Sequence, residues 1–310
     1  FKDVNYSIAS KDEKINIFLD YSELLNSLDS STMSKITINN RKINIKDFKS
    51  EILIPYQNDG LNKYREEYNQ MLLDKVSGSE DILQEKYLTV TIFKNNYEEA
   101  KNFFNRTTVE LSSHFAKLGS SCESMDAIER LKVLHDFFRS GEEEFINFDL
   151  NNSMKKGHSF KDAICPKAPI FEHKYFKIGD KFGRVLYLSY YARYIKDIFV
   201  SEVSSLNKNL LFSIDIVTVQ TDEAVKEVEN RLLGVETNIT NWQRKQNNNN
   251  NFSAVIPYDM EQQRHEAKEF LDDLTVRDQR MMFGTITLVH LADSLEELDK
   301  DTETLMAVER

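Results

Sequence analysis

The chain has 310 residues, 40% of them hydrophobic and 29% charged, with a formal net charge of −11. That length supports a sizeable core and about two domains, and the composition is that of a soluble globular protein. The acidic balance disfavours broad binding to nucleic acid or anionic membrane, and no stretch approaches the roughly 18 apolar residues that a membrane span requires.

The two cysteines, Cys122 and Cys165, lie too far apart for a disulfide framework or a zinc site and read as buried, reduced thiols of a cytosolic protein. No signal-peptide pattern opens the chain. Because the sequence starts at Phe1 and Arg310 falls inside a helical pattern, it reads as a piece of a longer protein.

Taken in order, Val4–Ala9 alternates like a strand, and Ser10-Lys11-Asp12-Glu13 is a capping box opening a helix with Phe18, Tyr21, Leu25 and Leu28 on one face. Lys35–Asn39 reads as a strand, and Leu61–Val76 as a helix stopped by Gly78. Tyr87–Lys94 alternates clearly. Asn96 then caps a helix with Glu99 three residues on, and Gly119 is its natural end. Asp126–Arg139 is a further helix, with His135 in its apolar stripe as a core histidine. Asn151–Gly157 is polar and reads as a boundary.

Pro166 and Pro169 force extended backbone into a hairpin: Lys174–Ile178, a turn over Gly179-Asp180-Lys181-Phe182-Gly183, then Arg184–Tyr191. Residues 192–206 read as a helix and Leu210–Val219 as an apolar strand. Thr221 is placed as the cap of a long helix carrying Asp222 and Glu223 in its first turn, where the helix dipole favours acids. Val225, Val228, Leu232, Val235, Ile239 and Trp242 make one seam. After Asn247–Asn251, Pro257 leads into a second helix with Met260, Ala267, Leu271, Leu274 and Met281 on one face, so 221–281 reads as a helical hairpin. Phe283–Leu291 is a strand, and Ser294-Leu295-Glu296-Glu297 a capping box. The fold class is therefore α+β: two lobes of mixed or antiparallel sheet built from split βαβ, ferredoxin-like units. Residues 1–150 form the first lobe, 151–191 a central connection and 192–310 the second.

On this acidic chain the central connection is basic: Lys155, Lys156, Lys161, Lys167, Lys174, Lys177, Lys181 and Arg184 face only Asp162, Glu172 and Asp180. It reads either as a solvated linker or as a docking surface for an acidic partner or a membrane. Phe252, Val255 and Ile256, beside the asparagines, read as an apolar tip for a neighbouring subunit. The candidate partner-binding residues are thus Lys155, Lys156, Lys174, Lys177, Lys181, Arg184, Phe252, Val255 and Ile256.

No phosphate-binding loop occurs, since Gly-Lys is absent as a dipeptide. Glu261, His265 and Glu269 share a helix face at metal-ligand spacing but read as a solvated, charge-paired face. Tyr187, Tyr190, Tyr191 and Tyr194 read as core and sheet-face packing rather than a base-stacking platform. No catalytic, cofactor-binding or metal-binding residue is assigned.

The order Ile164-Cys165-Pro166, Ile178-Gly179-Asp180, the Arg184–Tyr191 strand, the long-helix pair and the Gly284–Leu291 strand with its capped helix resembles the N-terminal part of the conjugative-transfer ATPases of bacterial type IV secretion systems, the VirB-four/TraE-like family. The resemblance implies a non-catalytic assembly and anchoring domain, cytoplasmic and peripheral to the inner face of the cell membrane. Its partners would be inner-membrane components of the secretion system and, in the full-length protein, other copies, with no direct nucleic-acid contact by this part. ATP and Mg are implied only for a motor domain beyond Arg310, and no cofactor for the residues in hand. Two readings stay open beside it: a stand-alone intracellular enzyme with an unassigned site, and a coiled-coil-bearing scaffold unrelated to secretion.

Overall fold

The computed structural model describes the chain apart from residues 31, 43–48, 50–51, 79–81, 143–145, 147, 192–197, 252–253 and 309–310. Its strands are β1 (Met33–Lys42), β2 (Ile82–Thr91), β3 (Ile170–Phe171), β4 (Phe176–Ile178), β5 (Lys181–Tyr187), β6 (Leu210–Thr218) and β7 (Met282–Ala292). They form one seven-stranded antiparallel sheet in the order β2-β1-β6-β7-β5-β4-β3. The helices are α1 (Lys11–Asn26), α2 (Asn62–Gly78), α3 (Tyr97–Lys117), α4 (Ala127–Phe138), α5 (Leu150–Lys156), α6 (Lys161–Ile164), α7 (Ile198–Ser204), α8 (Thr221–Asn248), α9 (Tyr258–Thr275) and α10 (Leu295–Val308). The α+β class read from the sequence is what the chain adopts. One sheet joins all three parts of the chain: β1 pairs directly with β6 from Met33↔Val217 to Asn40↔Leu210, and the central connection supplies β5, β4 and β3 at the edge beyond β7.

Opposed residues in an antiparallel ladder share a face. One face carries Ile38, Leu210, Phe212 and Leu288, buried under Val203 of α7 and Leu305 of α10. Towards β2 the same face continues through Leu88 into a second cluster, Leu24, Phe115 and Leu118, supplied by α1 and the end of α3. The opposite face is polar. It holds Lys35 paired with Asp215 at 3.0 Å, buried Thr37, Asn39 and Ser213, and the Arg41–Glu85 pair.

Local signals placed several helix ends. The Ser10–Glu13 box forms reciprocally, and Asn96 caps Glu99 through its side chain. α3 ends in a Schellman motif: Gly119 at φ 74° lets its N–H reach Ala116 O and that of Ser120 reach Phe115 O.

Several expectations need correction. Val4–Ala9 is not a strand: its amides are spent on local turns, Tyr6 N to Val4 O and Ala9 N to Tyr6 O, and Phe1 N and Lys2 N anchor it to Lys86 O and Ser121 O. The β2 strand begins earlier than Tyr87, because pairing with β1 extends to Lys42↔Ile82. The polar stretch 151–157 is mostly helical, α5, ended by Gly157 at φ 71°. Thr221 is the first helical residue of α8, and the preceding Gln220 makes no side-chain cap. The β4–β5 turn is only Gly179-Asp180, with Ile178 opposite Lys181. Positive φ at Gly179 alone, 56°, suits a type II′ turn, whose twist matches the strands. Cys165 is exposed and Cys122 half-buried. Residues 192–197 of the expected helix, Tyr194 and Phe252 lie outside the described residues.

Candidate partner-binding site

The central connection separates into cations that are consumed and cations that are not. Arg184 sits on β5 opposite His290 and uses all three of its nitrogens: Nε donates to Lys174 O at 2.9 Å, Nη1 to Thr302 Oγ1 at 2.7 Å and Nη2 to Asp299 Oδ1 at 2.8 Å. It therefore ties the β3–β4 turn, the sheet and α10 together. Lys181 pairs with Asp293, Lys167 with Glu142 at 2.6 Å, and Lys177 lies 5.1 Å from the centre of the Phe182 ring. By contrast, Lys155, Lys156, Lys161 and Lys174 are exposed and make no ion pair among the described residues. Phe160, Ile170 and Phe171, exposed in the same stretch, alternate with them along the chain.

Behind Arg184 lies a buried polar group that sequence reasoning missed. Thr302 donates its hydroxyl proton to Leu298 O at 2.7 Å, so the 3.1 Å contact with His290 Nε2 requires the ring to donate. Nδ1 is then a lone-pair acceptor without a partner, and the ring is fully buried. Burial pushes the His290 pKa down to about 4; nearby Asp301 opposes the shift and Arg184 adds to it. Asp301 is itself paired with Lys208 at 2.9 Å. A second such group lies on the opposite sheet face. Arg41 bonds Glu85 at 2.9 Å and lies 3.7 Å from Asp136 of α4, and Tyr87 donates to Glu85 at 2.7 Å. Burial alone would raise the Glu85 carboxyl, but the Arg41 and Tyr87 hydrogen bonds hold it below its ordinary value. Burial and the Glu85 charge both raise the Tyr87 phenol. No local sequence signal marks this group: Arg41 and Glu85 lie on strands that also carry Lys35, Lys42 and Lys86, and only the β1–β2 pairing brings them together. His135 is buried beside Asp136 at 3.4 Å, in keeping with a core histidine.

The helical hairpin is present. The seam of α8 is buried or half-buried throughout, with Val228 and Ile239 deepest, and Ala267 and Leu274 of α9 face it. Its root is the cluster Ala224, Val228 and Leu274, and midway Glu236 lies near both Arg264 and Lys268. The asparagine run makes the turn chemically. Asn250 takes φ 57°, its N–H bonds Asn247 O, and the Asn251 N–H bonds Gln246 O, a Schellman end in which asparagine replaces glycine. At the tip Val255 is 86% exposed and Ile256 half-buried. Tyr258, next to them, is also exposed.

Other singled-out residues are surface groups. Glu261 pairs with Arg264, and His265 lies 3.8 Å from Glu269 in solvent. Tyr187 and Tyr190 are exposed rather than packed, because the polar sheet face extends to β5 uncovered there; Tyr191 instead accepts the Ile286 N–H at 2.9 Å. No described helix is long and apolar enough to cross a membrane. No protein-family model and no curated protein matches the chain.

Proposed function

We propose that this chain is a non-catalytic assembly and anchoring domain of a type IV secretion ATPase, docking through its helical hairpin tip and the unpaired lysines of its central connection. The observation that carries the reading is the hairpin. Two long helices bury their seam against each other and leave Val255 exposed in the connection between them, an arrangement that costs ordering entropy and leaves apolar surface in water. The resemblance of the motif order to the VirB-four/TraE-like proteins suggests the biological setting, with inner-membrane secretion components as partners and ATP hydrolysis assigned to a separate motor.

The test is made in the full-length protein in its own cell. Val255→Ser with Ile256→Ser, and separately Lys155→Glu, Lys156→Glu and Lys174→Glu together, should leave protein level unchanged and reduce both DNA transfer and co-purification with inner-membrane components. Wild-type transfer and recovery by both sets would refute the reading.

A further inference from the structure

Residues 150–175 carry five lysines against two acids, Asp162 and Glu172, in a chain whose formal net charge is −11. Lys167 pairs with Glu142, whereas Lys155, Lys156, Lys161 and Lys174 are exposed and make no ion pair among the described residues. Asp162 is engaged locally: its carboxylate accepts the Ser159 N–H at 2.9 Å and lies 3.8 Å from His158. Interleaved with these cations are Phe160, Ile170 and Phe171, which are 50%, 49% and 79% exposed. The backbone that carries them is anchored. Arg139 Nε donates to Cys165 O at 2.9 Å, one turn after Lys161, and Arg184 Nε donates to Lys174 O at 2.9 Å. Phe171 lies opposite Phe176, and Phe176 opposite Gly183, so the three share one face, with Phe171 on the outermost strand of the sheet.

We infer, resting on the reading of these lysines as a docking surface, that the stretch docks on an anionic lipid bilayer. The lysines attract headgroup phosphates, and the exposed rings enter the boundary between headgroups and acyl chains. Charge selects an anionic partner, and two features select lipid over an acidic protein. The four cations lie on three elements, α5, α6 and the β3–β4 turn. A fixed protein surface would have to match all three and immobilise each long side chain, whereas fluid headgroups rearrange around flexible ammonium groups. The exposed side chains between the cations are two phenylalanines and an isoleucine, which gain by leaving water at such a boundary. The acidic remainder of the chain opposes the attraction only where it lies within about 8 Å, the screening length at physiological ionic strength.

The test uses the purified 310-residue chain with vesicles of phosphatidylglycerol and phosphatidylcholine in equal amounts, and pure phosphatidylcholine vesicles as the control. The chain should float with the first and not with the second, and raised salt should release it. Lys155→Gln, Lys156→Gln and Lys174→Gln together should weaken vesicle binding about a hundredfold, at roughly fivefold per lysine. The same three sites changed to Arg should keep it. Both triple variants should retain the wild-type melting temperature, since all three side chains are exposed. Phe171→Trp in a Trp242→Phe background should shift its emission to the blue on anionic vesicles, and Tyr258→Trp in the same background should not. Equal binding to both kinds of vesicle, binding to neither, or full binding by the glutamine triple overturns the proposal. Salt-sensitive binding to polyglutamate without binding to vesicles gives the surface to an acidic protein and overturns it as well. The secretion reading is decided separately, by DNA transfer in the cell, so the two failures are distinguishable.

Discussion

Replacing His290 by Gln should flatten a defined part of the chain's stability–pH curve. The wild-type ring is fully buried and neutral, with its pKa near 4 in the fold against 6.5 for an ordinary histidine. The unfolded chain therefore takes up a proton at pH values where the folded chain cannot. Stability is fully present above the unfolded pKa and falls as pH drops from about 6.5 towards 4; below that both states are protonated and the loss is constant. Integrated over the window, the loss is about 2 kcal/mol at pH 5 and about 3 kcal/mol at pH 4. Gln keeps a donor for Thr302 Oγ1 and removes the titration. Urea unfolding followed by circular dichroism from pH 8 to pH 4 gives both curves. Carboxylates held low in the fold, such as Glu85, contribute alike to both proteins, so the difference curve isolates position 290. It should slope through that window by about 3 kcal/mol. A flat difference would show that the ring is charged or hydrated in the folded state, and the tautomer deduced from Thr302 would fall with it.

Three further outcomes are expected. Gly183→Ala should destabilise by about 1–3 kcal/mol, because a methyl there would clash with the edge of the Phe176 ring and come 2.8 Å from Leu291 Cδ2; adding Phe176→Leu should recover part of the loss in a double-mutant cycle of urea midpoints. Lys181→Glu, which sets a like charge against Asp293, should lower the melting temperature, whereas Lys174→Glu at an exposed turn should leave stability within about 0.5 kcal/mol; equal effects would contradict the division between paired and unpaired lysines. Val228→Asp buries an unpaired carboxylate at the hairpin root, costs roughly 3 kcal/mol or more, and should open 222–242 to limited proteolysis, while the wild type is cut first near 247–257. Early cleavage inside α8 of the wild type would count against the packed hairpin.

The parts of the fold legible in the sequence are those set by neighbours a few residues away. Ser10 with Glu13, Asn96 with Glu99, and Gly119 announce helix ends because caps are satisfied within one turn. The α8 seam was legible because its period is a property of one helix. Strand pairing is not of this kind. Val4–Ala9 alternates as well as many strands do, but alternation supplies no partner, and its amides found local carbonyls instead. Nothing near Ile38 in sequence indicates that Phe212 will lie opposite it, and that pairing is what joins the two ends of the chain in one sheet.

The same distinction decides how the basic connection is to be understood. Charge counting treats its cations alike, yet strand position separates them. Arg184 and Lys181 lie on β5, whose register with β7 brings them within reach of Asp299 and Asp293 around α10. Lys155, Lys156 and Lys161 lie on short helices and Lys174 on a turn, where no ladder delivers an acid to them. Reversing Arg184 would therefore report on the integrity of the β5–α10 contact rather than on docking. Any partner attracted by this stretch meets four exposed lysines that make no ion pair among the described residues, because the sheet has no hold on them.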